Sequence, residues 1–222
     1  MLDNRLETVS TYIKGTVLAD IGSDHAYLPI FAIKNKMTNR AICGEVVKGP
    51  YESTKENIRR NELTDLIEAR LGAGLEILTQ NDNIDTITIC GMGGPLIAEI
   101  LTSGFDHVKG KPRLVLQPNT YSFPLRNALV GLGYKIMDET VVQEGAHFYE
   151  IIVAEPGYEN YTEKDLKFGP ILLHKRENAF MEKLKREVAH QRRILYNLET
   201  HSKNDSKVEE TKRKIQLIEE VL

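Results

Sequence analysis

Residues 16–29, TVLADIGSDHAYLP, decide the fold, because an apolar run there closes on an acid and passes through a glycine turn into a second apolar stretch. Thr16, Val17, Leu18 and Ala19 suit a strand covered on both faces, Asp20 ends it, and Gly22 lets backbone come close to a ligand. Asp24 then stands where it can cap a helix carrying Tyr27, Leu28, Ile30 and Phe31. Pro29 falls in the first turns of that helix, where a missing N–H is tolerated.

A tight turn from a parallel strand into a helix is where dinucleotide and adenosyl ligands bind, since free N–H groups and the strand end face the ligand together. The chemistry of this turn departs from a pyrophosphate site. G-x-G-x-x-G surrounds negative oxygens with backbone donors, whereas here the glycine spacing is broken by Asp24, whose carboxylate would repel a phosphate. Asp20 and Asp24 would instead attract a cation such as the sulfonium and amino group of S-adenosylmethionine, which favours a methyl donor over NAD. Taken alone the turn is equally a plain capped connection, so the weight falls on the rest of the chain.

With 222 residues the chain is long enough for one full core and an appendage. Its 41% hydrophobic and 27% charged residues are ordinary for a globular protein, and a net charge of −3 excludes a global basic field, so any nucleic-acid site must be local. Cys43 and Cys90 are too few for a disulfide framework and lack zinc spacing; both read as reduced, packed thiols, and no metal site is expected. Neither a secretory leader nor a membrane span is legible, which points to a cytoplasmic protein, monomeric or weakly dimeric.

Outward from the first motif, Leu2, Leu6, Val9 and Ile13 repeat at helical spacing up to Gly15. Residues 40–45, RAICGE, form a second strand closing on Glu45, which lies 25 residues after Asp20, near the roughly 20-residue spacing at which an acid meets a cofactor ribose. Residues 67–71 are a third strand closing in Gly72, Ala73 and Gly74, and the next helix holds Leu75, Ile77 and Leu78. Residues 85–90, DTITIC, are a fourth strand, followed by Gly91, Met92, Gly93 and Gly94, where bare backbone can lie against a planar group. A fifth strand, residues 112–116, leads into Gln117, Pro118, Asn119 and Thr120. Strands and helices alternate to this point, which predicts a parallel sheet covered on both faces.

The pattern then changes. Residues 134–142 and 148–155 are strand-like with no helix between them, so they form a hairpin. A doubly wound α/β sheet ending in an antiparallel hairpin is the architecture of class I S-adenosylmethionine-dependent methyltransferases, and it speaks against a nicotinamide dehydrogenase. Composition shifts at Pro156, Gly157 and Tyr158, dividing residues 1–157, the methyltransferase domain, from a helical domain, residues 158–222. In the latter, residues 164–200 read as one long helix with Phe180, Leu184, Val188, Leu195 and Leu198 on a stripe. The turn HSKNDS joins it to a returning helix with Val208, Ile215, Ile218 and Leu222, giving a coiled-coil-like hairpin. Residues 164–193 carry nine Lys or Arg against four Asp or Glu, a local basic face suited to a phosphate backbone. Lys183, Lys185, Arg186, Arg192 and Arg193 are its candidate contacts, and a solvated helix surface is the plain alternative.

With those residues laid out, the chain resembles the bacterial tRNA (adenine(22)-N(1))-methyltransferase family, TrmK. DIGSDHAYLPI, ICGEV, RLGAGLEIL, ICGMGGPLI, LVLQPN, HFYEI and the two-helix tail carry the likeness along nearly the whole length. The resemblance implies methyl transfer from S-adenosylmethionine to N1 of an adenine in the tRNA core, with the tail helping to hold the tRNA. The cofactor-binding residues expected are Asp20, Gly22, Ser23, Asp24 and His25 in the first turn, Glu45 and Val46 after the second strand, Gly72, Ala73 and Gly74 after the third, and Gly91 and Met92 after the fourth. Where the family commonly places an acid or amide to bind the cofactor adenine, this chain has Ala73, so that contact must come from backbone or a neighbouring polar group.

Because N1 of adenine has an in-plane lone pair, alignment is the main requirement, and the base must leave its pairing to be reached. Asn119 would accept from the exocyclic amine, Tyr27 stack or close over the site, and Asp24 balance developing positive charge; His25 is structural or gating, not a proton carrier. Two alternatives stand beside this: a methyltransferase for another RNA or a small molecule, and a non-catalytic RNA- or partner-binding module on a vestigial fold.

Overall fold

The computed structural model describes residues 2–201 and 205–222. Helix α1 (Asn4–Thr11) is capped by Asp3, whose carboxylate accepts from the Leu6 N–H at 2.7 Å. Then follow β1 (Val17–Ile21), α2 (Tyr27–Lys34), β2 (Arg40–Glu45), α3 (Lys48–Arg60), β3 (Ile67–Leu71), β4 (Thr86–Gly93), α4 (Gly94–Gly104), β5 (Arg113–Thr120) and α5 (Ser122–Gly131). The strands β6 (Tyr134–Glu144) and β7 (His147–Pro156) close the sheet.

The seven strands lie in the order β3-β2-β1-β4-β5-β7-β6. The first five are parallel, and β7 runs antiparallel to both β5 and β6, as expected of a doubly wound methyltransferase sheet with a terminal hairpin. Alternate residues enter two different apolar layers: Ala19, Ile21, Ile42, Ile87, Ile89, Leu114 and Leu116 on one face, and Leu18, Ala41, Cys43, Val115 and Val153 on the other. Both layers are buried, which is why these strands read as unbroken hydrophobic runs. The chain reverses its winding between β1 and β4, and a crevice opens at that switch point beyond the carboxyl ends of the strands.

Three local expectations are corrected. Asp20 does not end β1 but pairs within it, opposite Cys43 and Thr88. Leu75 and Ile77 follow β3 in a 3-10 turn, Gly74–Ile77, rather than a helix, and Leu78 lies just beyond it; all three are buried. The long helix expected over residues 164–200 is three helices, α6 (Glu163–Phe168), α7 (Pro170–Lys175) and α8 (Asn178–His201). Gly169 at φ 94° and Arg176 at φ 51° break it, and Pro170 cannot continue the hydrogen-bond ladder of α6.

The chain forms two compact units, Met1–Ile171 and Leu172–Leu222. That division falls later than residues 157 and 158, because the connecting segment is tied into the first unit. The Tyr161 hydroxyl accepts from the Ile136 N–H at 2.8 Å, Phe168 is buried, and the Ile171 N–H donates to Glu139 Oε2 at 3.0 Å. In the second unit α8 and α9 (Asp205–Glu219) run antiparallel, joined by Arg192 to Glu219 at 2.6 Å and Lys212 to Glu199 at 3.1 Å. Phe180, Leu184, Val188, Ile215 and Ile218 are its buried residues from the expected stripes. Part of the HSKNDS turn, residues 202–204, lies outside the described residues. No helix among the described residues is long and apolar enough to cross a membrane.

Candidate active site

Two cavities meet at the switch point. The larger, about 310 Å³, is floored by Gly22, Gly44, Gly72 and Gly74, where the ends of β1, β2 and β3 present backbone. Val46, Leu96 and Ile100 give it apolar walls, and among the described residues no Lys or Arg lines it. Glu45 stands in its wall and is buried; Thr54 Oγ1 donates to its carboxylate at 3.2 Å, while loss of water raises its pKa above the ordinary range. Ala73 also lines this cavity, together with Glu76, Glu99 and Ser103. Those three are polar side chains in the same lining as Ala73, and nothing in the sequence pattern singles them out.

The smaller cavity, about 240 Å³, is lined by Asp20, Ser23, Asp24, Tyr27, Gly91 and Arg5 among others, and it shares Gly22 and Met92 with the larger. Glycine suits position 22, which sits at φ 71°, a conformation that side chains rarely adopt, and a Cβ there would also have to displace the Met92 methyl group. Asp20 is buried, accepting from Ser23 Oγ at 2.6 Å and Thr88 Oγ1 at 2.5 Å. Burial nevertheless dominates those bonds and pushes its carboxyl up to about 6.

Asp24 differs from its expected role. It does not cap α2, whose N-cap is Ala26 without a side-chain bond. Asp24, His25 and Ala26 instead take successive left-handed conformations, φ 41°, 64° and 56°, a rare and costly arrangement for residues with a Cβ. Asn57 Nδ2 holds this segment by donating to the His25 carbonyl at 2.6 Å. The Asp24 side chain is consequently 87% exposed on the cavity rim, 3.7 Å from His25 Nε2, and Tyr27 is half exposed beside it. His25 packs its ring 5.5 Å from that of Tyr27 and lines neither cavity.

Gly91 forms a bulge. The β4–β5 register runs Cys90 to Gln117, Met92 to Pro118 and Gly93 to Thr120, so Gly91 and Asn119 are left out of the ladder. Side chains replace the missing bonds. The Gly91 N–H donates to Gln117 Oε1 at 3.0 Å, Gln117 Nε2 donates to Asn119 Oδ1 at 3.0 Å, and Asn119 Nδ2 donates to the Gly91 carbonyl at 2.7 Å. Arg5 of α1 donates to the same Gln117 Oε1. Asn119 is exposed, bonded to the cavity wall without itself forming it, whereas Gln117 is fully buried. Of the two cysteines, both free, Cys43 is buried and Cys90 lines the smaller cavity, and burial raises both thiols.

The sequence-based set is thus largely assembled: Gly22, Glu45, Val46, Gly72, Ala73, Gly74 and Met92 meet in one cavity, and Asp20, Ser23, Asp24, Tyr27 and Gly91 in the other. The five basic candidates lie on α8 in the second unit. Lys185 pairs with Glu182 at 2.7 Å and Arg192 with Glu219, so the basic face is partly engaged by its own acids. Arg5 and Gln117 were missed. Gln117 could have been found, since it shares a strand face with Asn119 two residues on; nothing local marks Arg5.

Residues 18–220 match the sequence profile of TrmK, tRNA (adenine(22)-N(1))-methyltransferase. The tRNA (adenine(22)-N(1))-methyltransferase of Bacillus subtilis strain 168 is 38% identical over 231 residues, covering 100% of this chain and 97% of that protein. The crystal structure of Streptococcus pneumoniae Sp1610 in complex with S-adenosyl-L-methionine has a TM-score of 0.90 at 38% identity and covers 100% of both chains. The structure of M. capricolum TrmK in complex with S-adenosyl-homocysteine has a TM-score of 0.85 at 29% identity and covers 99% of this chain and 97% of that one.

Proposed function

Because this chain belongs to the TrmK family of tRNA (adenine(22)-N(1))-methyltransferases, we propose that its two joined cavities divide the reaction, the larger holding S-adenosylmethionine and the smaller receiving the target adenine. The enzyme transfers a methyl group from S-adenosylmethionine to N1 of adenine 22 in tRNA. The observation that carries the division is that Gly22 and Met92 line both cavities, with buried Glu45 in one and buried Asp20 in the other.

The chain's own groups fit the cofactor chemically. Glycine backbone and the apolar walls of the larger cavity suit a flat purine, the Glu45 carboxylate suits two vicinal hydroxyls, and the absence of cations from its lining disfavours a pyrophosphate. When bound, the cofactor supplies a methyl group on a cationic sulfur. Asp20, which lines the smaller cavity two residues before the shared Gly22, offers the opposite charge where the two cavities join, and Ser23 and Thr88 keep its carboxylate oriented.

The N1 lone pair lies in the plane of the adenine ring, so no base has to remove a proton before attack. The work of the chain is therefore to align the acceptor and exclude other orientations. Tyr27 on the rim offers a stacking face to a base withdrawn from its helix, Asp24 opposes the positive charge the methylated base acquires, and Asn119 accepts from the exocyclic amine. The basic residues of α8 hold the tRNA backbone, which makes the helical unit a tRNA-binding element. Acting on tRNA, the enzyme works in the cytoplasm.

Incubation of the purified protein with isotopically labelled S-adenosylmethionine and bulk tRNA tests this reading. Label is expected in 1-methyladenosine at tRNA position 22. Label instead in small amines or ribosomal RNA fragments would establish a different acceptor, and no cofactor binding by calorimetry would establish a vestigial fold.

A further inference from the structure

The ring of bonds through Gly91 fixes the direction of two amides whose orientation would otherwise be free. A backbone N–H can only donate, so Gly91 forces the Gln117 oxygen toward itself; Arg5, also a donor only, presses on the same oxygen. The Gln117 NH2 then faces Asn119 and draws the Asn119 oxygen to it, which turns the Asn119 NH2 toward the Gly91 carbonyl, a group that can only accept. Each amide choice is dictated by the one before, and both ends of the chain of bonds rest on one bulged glycine.

Asn119 is left with one acceptor site on Oδ1 and one N–H on Nδ2. An amide that presents one of each on a single edge pairs with the N6 and N7 atoms of adenine, a pattern in which the ring N1 stays free. We propose that Gln117 is a positioning residue that locks the Asn119 amide so that it reads N6 and N7 of the target adenine while leaving N1 to the methyl donor. Guanine would set its O6 against Asn119 Oδ1, two acceptors facing, and the locked amide cannot turn to relieve this. The inference rests on the reading that the smaller cavity receives the target base, and it goes further by assigning the edge that is recognised and the residue that enforces it.

The test compares tRNA transcripts carrying adenosine or 7-deazaadenosine at the target position, the latter having a C–H in place of N7. Wild-type enzyme is expected to lose roughly tenfold in kcat/KM on the 7-deaza substrate. Asn119→Ala should treat the two substrates alike, within about twofold. Gln117→Glu, which can still accept from Gly91 and Arg5 but cannot donate to Asn119, should also lose the discrimination while its cofactor affinity by calorimetry stays unchanged. A merely structural role would slow both substrates equally. Because Gln117 is buried, Arg5→Met on α1 is a second variant, expected to narrow the discrimination by about two- to threefold. Equal rates on both substrates with wild-type enzyme, or full discrimination retained in Gln117→Glu or Arg5→Met, would overturn the proposal with methylation at adenine intact. Failure of wild-type enzyme to methylate either transcript would instead defeat the functional reading itself.

Discussion

Asp24 and Asp20 share a turn and a charge, yet the fold uses them differently. Asp24 is held outward by a left-handed backbone segment, so removing its carboxylate costs little packing; Asp24→Ala is expected to abolish methylation with an unchanged melting temperature, as measured by tritium transfer and thermal denaturation. Asp20 is buried, and its carboxyl, raised to about 6, is neutral in acid and charged above that pH. A cation stabilises only the ionised form, so binding releases protons near the pKa, and cofactor affinity should fall as the pH drops from about 7 to about 5. Calorimetry in buffers of different ionisation enthalpy checks this: S-adenosylhomocysteine, lacking the sulfonium charge, should show a shallower dependence, and Asp20→Asn almost none. In the free protein the same raised pKa means that the native state binds the proton more tightly than the unfolded one, so ionising Asp20 lowers stability between about pH 4 and about pH 6.

At the level of elements, a demanding junction is where α5 meets the terminal hairpin. Arg126 of α5, fully buried, donates from Nε to Glu139 of β6 at 2.6 Å and from Nη2 to Glu150 of β7 at 2.7 Å. A side chain at Gly169 would meet Arg126 Nη2 and Glu139, which explains the glycine that interrupts the expected long helix. Arg126→Met leaves two carboxylates buried without their cation and is expected to cost about 3–5 kcal/mol, read from the urea midpoint. Adding Glu139→Gln and Glu150→Gln to that variant should recover part of the loss. The strands and their order of appearance were legible from apolar runs; this ion cluster was not, because Arg126, Glu139 and Glu150 look like surface residues until three elements converge on them. The FGP sequence at residues 168–170 did carry the helix break, and the apolar stripe from Phe180 to Leu198 lies wholly beyond it.

For the molecule as a whole, charge decides how a protein of net charge −3 engages a polyanion: the attraction must be local. Replacing Lys183, Lys185 and Arg186 of α8 together is expected to weaken tRNA binding and flatten its dependence on salt, since fewer counterions are released per complex. Filter binding across a salt series measures the slope, and an unchanged slope would remove the tail from tRNA binding. The existing pair of Lys185 with Glu182 is exposed and cheap to exchange for a phosphate contact, so it does not blunt this expectation.

The sequence by itself determined the alternating strands, the terminal hairpin, the glycine-lined turns and the acids beside them, because strand burial and turn conformation are written in residues close together along the chain. Only the tertiary structure decided which way those acids face, how the Gly91 bulge recruits Gln117, Asn119 and Arg5, and where the compact division falls. Those outcomes depend on hydrogen bonds between residues far apart in sequence, and no local pattern records which distant donor will meet a given acceptor.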